Sequence, residues 1–145
     1  MRIGVVGLLV IFAVAGLSRA TGGNRGPLLG GPTKTGITLE KAVANIMEAE
    51  ELQVHDVKVH LNELFKDVSL VDHYSQVVAG VNHTYVFQTK RGFECFKIYT
   101  RFDHKEISMI NYARGEQQDK VTERCLSFSD VPTKLEMVKN LLSKK

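Results

Sequence analysis

Tryptophan is absent from this 145-residue chain, proline occurs three times and cysteine only twice. Two cysteines are too few for a disulfide-framed scaffold or a multi-cysteine metal site, so a hydrophobic core must carry most of the stability. Charge of one sign is also missing. Nineteen Lys and Arg against sixteen Asp and Glu give a net charge of +3. Loss of Arg2 and Arg19 with a cleaved leader lowers that to +1, which leaves no electrostatic footprint for nucleic acid. Long apolar runs are absent beyond residue 17. Catalytic and metal-binding constellations are absent too. His55 and His60 stand five apart on a predicted helix, the wrong spacing for a shared ion, and His73, His83 and His104 have no cluster of Cys or carboxylates. Adjacent Asp103 and His104 point apart on a strand. The stretch Gly31-Pro32-Thr33-Lys34-Thr35-Gly36 lacks the Gly-Lys-Ser/Thr ending of a phosphate loop. No enzyme, cofactor or metal is expected.

The chain opens with Met1-Arg2, an uncharged apolar run over 3–17, and small residues at Ser18 and Ala20. This is the pattern of a secretory signal over 1–20, and the run is shorter than a bilayer span. The protein is therefore expected to be secreted, with no membrane segment in its mature form. In that oxidising route Cys95 and Cys125 are expected to pair. Residues 21–36 hold six of the twelve glycines and two of the three prolines, which predicts a flexible arm with one apolar spot at Leu28-Leu29.

Thr38 is a plausible N-cap. After it, Leu39, Ala42, Val43, Ile46 and Met47, then Val54, Val57, Leu61, Leu64 and Phe65, recur at helical spacing. They predict one long helix over about 38–64, with a break near 51–55 as the variant. The period then becomes two, with Val68, Leu70 and Asp72 alternating against Ser69, Val71 and His73. Strands follow over 81–90, 93–102 and 107–113. Residues 115–120 read as loop, 121–128 as extended, and 132–142 as a short amphipathic helix. A long helix before an antiparallel meander makes an α+β domain. Domain assignment follows as signal 1–20, arm 21–36, main domain 37–128 and a C-terminal tail 129–145. Because each follows an odd-numbered strand, the turns at 76–80 and 102–106 fall at one end of the sheet.

The first of those turns is Gln76-Val77-Val78-Ala79-Gly80, and the arm carries Leu28-Leu29-Gly30-Gly31-Pro32. Neither holds a nucleophile, base or metal ligand. Both are apolar, glycine-hinged segments suited to filling a cleft. Together with the order of elements and the leader they resemble the secreted cystatins, with some features of the intracellular stefins. The first segment matches the family's Gln-x-Val-x-Gly loop, the second its arm glycine, and Phe93 to Tyr99, with Phe96 and Ile98, its strand before the second binding loop. The likeness covers residues 28–113.

The resemblance implies a cystatin-like fold, an antiparallel sheet wrapped on one long helix. It also implies reversible, tight-binding, competitive inhibition of papain-like cysteine proteases of the cathepsin type. Gln76, Val77, Val78, Ala79 and Gly80 would form the central wedge, Leu28, Leu29 and Gly30 the arm contact, and Phe102 the second-loop contact. Three departures stand out. Thr100-Arg101-Phe102-Asp103-His104 replaces the family's Pro-Trp, and loss of such an anchor costs about 2 kcal/mol. One disulfide takes the place of two. The tail over 114–145 is longer than the family needs. The alternative reading is a non-inhibitory secreted cystatin-fold binding or host-defence module that uses the basic tail helix. A monomer is expected, with a domain-swapped dimer as its rival form. Asn82-His83-Thr84 is an N-glycosylation sequon beside the wedge.

Overall fold

The computed structural model describes residues 32–34 and 36–143. The predicted signal over 1–20, and Leu28, Leu29 and Gly30 of the arm, lie outside them. The described elements are β1 (Thr33–Lys34), α1 (Leu39–Met47), α2 (His55–Leu64), β2 (Ser69–Val77), β3 (Val81–Thr89), β4 (Gly92–Thr100), β5 (Ile107–Gly115), α3 (Gln118–Leu126) and α4 (Lys134–Leu142). The fold is α+β. Four antiparallel nine-residue strands run as a meander, and β1 pairs with β2 at its edge.

Thr38 caps α1 as expected, its hydroxyl accepting the Lys41 N–H at 3.2 Å. The predicted helix takes its broken variant and is two. Ala49 and Val54 are extended, and a 3₁₀ turn at Glu50–Leu52 separates α1 from α2. Packing explains the break. At about 3.6 residues per turn, a continuous helix would hold Leu52 well off the stripe of Ala42, Ile46, Ala49, Val57 and Leu61. The turn lets Leu52 reach the core with them. Gln53 stabilises it by donating to the Met47 and Ala49 carbonyls, each at 2.8 Å. Glu51 also holds β5, accepting the Ser108 hydroxyl and the Met109 N–H at 2.6 Å each, and pairs with Lys134 of α4 at 2.5 Å.

The predicted alternation in β2 fails at one residue. Leu70 pairs with Phe87 and Asp72 with Val86, so Val71 is a bulge. The extra residue shifts the parity. Leu70 and His73 share the core face, while Val71 and Tyr74 pack on the opposite one.

The two sheet faces are covered by different helices. On the inner face, residues of α1, α2 and α4 pack with Tyr85, Phe87, Phe96, Ile98, Met109 and Tyr112. The tail is thus part of the main core, because Met137 and Leu141 of α4 are buried in it, and the boundary at 128 does not separate a domain from an appendage. Thr133 and Glu136 close a capping box at the start of α4.

On the outer face lies α3, where an extended segment over 121–128 was expected. Val121 and Cys125, one helical turn apart, are its apolar contacts with Val86, Cys95 and Ala113. The Cys95–Cys125 disulfide joins α3 to β4 across a Cα–Cα distance of 6.2 Å. Lys97 lies under the same cover. Its ammonium sits 3.6 Å from the Phe128 ring centroid and donates to the Leu126 carbonyl, and burial pulls its pKa down to about 8.

From α3 the chain crosses to α4 beside β5, leaving a groove of about 730 Å³ lined by Asn111, Arg114, Arg124, Asp130 and Asn140 among others. Side chains satisfy the backbone of β5 here. Asn111 Oδ1 accepts the Tyr112 N–H at 2.8 Å, and Arg124 donates to the Arg114 carbonyl at 2.6 Å.

At the β3–β4 turn, Glu94 is completely buried. It accepts two bonds from Arg91 at 2.6 and 2.9 Å, one from the Thr89 hydroxyl at 2.9 Å and one from the Tyr112 hydroxyl at 2.5 Å. Burial, and then the Glu94 carboxylate, push the Tyr112 phenol far above its usual range. Arg91 also donates to the Leu141 and Ser143 carbonyls, tying the end of α4 to the sheet.

Candidate functional site

Turn geometry brings two loops together. The first tip, Val78-Ala79-Gly80, joins β2 to β3, and the second, residues 101–106, joins β4 to β5. The register sets Val81 opposite both Val77 and Thr100, and Thr100 opposite Ile107, so both turns lie at one end of the sheet.

Within the first tip, the Val78 N–H donates to the Gly80 carbonyl at 2.9 Å. Gly80 has φ +153, and a Cβ there would lie 2.4 Å from the Thr100 carbonyl oxygen and 2.7 Å from the Tyr99 ring. Only glycine lets the tip settle this closely on β4. Tyr99 adds a bond, its hydroxyl donating to the Ala79 carbonyl at 2.5 Å. Burial, and then the Glu106 carboxylate, raise the Tyr99 pKa, so this hydroxyl stays a donor at neutral pH. Val77 and Ala79 are exposed, Gln76 and Val78 are half-buried, and Gly80 is buried.

The second loop is tied to itself. The Arg101 N–H donates to the Glu106 carbonyl, the His104 N–H to the Arg101 carbonyl, and the Lys105 N–H to Asp103, all near 3 Å. Arg101 and Asp103 form an ion pair at 2.7 Å. His104 takes the left-handed conformation, with φ 60. Phe102 projects from this loop 64% exposed.

The register of β1 fixes the direction of the chain at Thr33 and Lys34. Thr33 lies opposite Ser75 and Lys34 opposite Tyr74, antiparallel to β2. Tracing the chain back from Thr33 therefore leads toward Gln76 and the tip. The chain enters the fold at the end of the sheet that carries both loops, and Lys34 fastens the entry through an ion pair with Asp72 at 2.7 Å. Sequence reasoning missed Tyr99 as a contact to the tip. Its signal was an aromatic residue immediately before the second loop.

Other candidates are not part of this assembly. Asn82 of the sequon is 4% exposed, so a glycan on it would have to displace its neighbours. Cys95 and Cys125 hold α3, away from the tips. No group of three or more His, Cys, Asp or Glu suited to a metal occurs among the described residues. None of the described helices is long and apolar enough to cross a membrane.

Behind the first hairpin, on the core face, His73 Nε2 and His83 Nδ1 are 3.0 Å apart, and both rings stack on Tyr85. Asn45 of α1 donates to the Tyr85 hydroxyl at 2.6 Å. One proton fits between the imidazoles, and a second would set two N–H groups against each other. Burial lowers the His83 pKa. The unfolded chain therefore binds a proton there more readily than the folded one, and stability declines as pH falls through about 6.5, the unfolded histidine value. His60, also lowered by burial, acts in the same direction. Denaturation of the wild type is thus expected to shift to lower urea between pH 7 and 5 by more than that of His83→Gln. Equal shifts would show that the pair does not sense pH.

The site offers no nucleophile placed against a base. What it presents is exposed Val77, Ala79 and Phe102, with Arg101, Asp103 and Lys105 beside Phe102, on loops held by their own hydrogen bonds. Compared with family models and with curated proteins, the chain matches none.

Proposed function

We propose that this protein is a secreted, monomeric, cystatin-like inhibitor that blocks the active-site cleft of papain-like cysteine proteases reversibly and in competition with substrate. One observation carries the reading. The Gln76 to Gly80 tip, the loop bearing Phe102, and the entry of the chain into β1 all converge on one end of the sheet. A cleft-filling role needs preformed loops that carry a few exposed apolar anchors, here Val77, Ala79 and Phe102, because rigid loops lose little entropy on docking and a few desolvated anchors supply most of the affinity. The alternative module acting through a free basic tail helix is disfavoured, since α4 is committed to the core through Met137 and Leu141.

The test is titration of papain and a cathepsin with wild type and Val78→Asp, following cleavage of a fluorogenic peptide. Wild type is expected to inhibit competitively in the nanomolar range. Val78→Asp, which drives a carboxylate into a desolvated cleft, is expected to weaken inhibition by roughly 100-fold or more with little change in melting temperature. Absence of inhibition by folded wild type at micromolar concentration would rule the reading out.

A further inference from the structure

We propose that Tyr99 is a positioning residue for the wedge, fixing the Val78-Ala79-Gly80 tip from the neighbouring strand. The inference rests on the inhibitor reading for its functional consequence but stands on geometry of its own.

The Tyr99 hydroxyl donates to the Ala79 carbonyl at 2.5 Å, and its ring lies so close beneath Gly80 that an added Cβ would sit 2.7 Å from it. The tip has little else to hold it. Ala79 is exposed, and Val78 N–H to Gly80 carbonyl is a bond within the tip itself. A phenol and its ring therefore supply two constraints from outside, one on the orientation of the Ala79 peptide and one on the plane of Gly80. Tyr99 also stands near the end of β4, three residues before Phe102 of the second loop. The side chain that sets the first loop thus springs from the base of the second, and the two loops share one reference point. A tip free to rotate its Ala79 peptide would spend part of its time in shapes that cannot dock, and apparent affinity falls in proportion to the competent fraction.

Tyr99→Phe tests this by removing a single oxygen. The measurement on the free protein is amide hydrogen exchange. At Val78 and Val81 it is expected to accelerate about tenfold, the loss of one typical hydrogen bond, while Phe87 and Phe96 keep wild-type rates. The inhibition constant against papain is expected to rise about tenfold, with the melting temperature nearly unchanged. Wild-type exchange at the tip in Tyr99→Phe would overturn the proposal. So would a loosened tip with undiminished inhibition, since the tip would then not need positioning. If wild type itself inhibits no protease, the inhibitor reading fails. The exchange rates then still decide whether Tyr99 sets the tip.

Discussion

Alanine at position 80 is expected to abolish tight inhibition and to destabilise the fold together. The added methyl would lie 2.4 Å from the Thr100 carbonyl oxygen, and the nearest obstacle is backbone rather than the yielding end of a side chain. The residue would also be strained at φ +153, which L side chains rarely adopt. Either the tip lifts from β4 or the β3–β4 ladder opens at Val81 and Thr100. A cost of about 2–3 kcal/mol is expected, with a melting temperature lower by roughly 6–15 °C. Because the same movement breaks the Tyr99 bond to Ala79, inhibition should weaken by more than about 100-fold. Calorimetry and protease titration on Gly80→Ala check both numbers. A variant that melts and inhibits like wild type would mean that the tip does not rest on β4.

Arg91→Ala is expected to be the most damaging single substitution at the other end of the sheet. Glu94 is completely buried and has its two strongest partners in the Arg91 guanidinium. Removing the cation leaves a carboxylate facing only two hydroxyls, and breaking such a buried pair costs about 3–5 kcal/mol. The carbonyls of Leu141 and Ser143 lose a donor as well, so the end of α4 should fray first. Urea denaturation should show a large drop in midpoint. Replacing both residues by leucine should recover much of the loss, because no stranded charge remains. A cost under about 1 kcal/mol would show that the Arg91–Glu94 pair does not hold this end of the sheet.

Much of this was legible in the sequence. The strands at 69–77, 81–89, 92–100 and 107–115 appear close to where β-branched and aromatic residues alternate, and the shared end for both loops followed from counting strands. The C-terminal helix appeared from Leu135, Val138, Leu141 and Leu142, and the disulfide from there being two cysteines and no more. Three features did not appear, each for a local reason. α3 shows only Val121 and Cys125 on its buried side, too thin a stripe to register as a helical period. Val71 is a bulge, and a period of two cannot announce where it will be interrupted. The break in the long helix was open in the sequence near 51–55, and Leu52, off the common stripe, accounts for it. Glu94 carries no hint of burial in its own identity. The site followed the same division. The Gln76 to Gly80 loop was readable as a motif. The grip of Tyr99 on Ala79, and the antiparallel run of Thr33–Lys34 along β2, needed three-dimensional placement.

The way β5 is finished has a consequence for the protein at high concentration. Open sheets tend to recruit further strands, and that is how edge-to-edge fibres begin. Here the last strand offers a poor template. Glu51 occupies the Met109 N–H, Asn111 the Tyr112 N–H, and Arg124 the Arg114 carbonyl, while a bulge near Ile110 bends the row of groups between them. At the opposite margin, β1 and the bulge at Val71 interrupt β2 in the same manner. Among the described residues the sheet thus offers no flat margin on which another copy could grow.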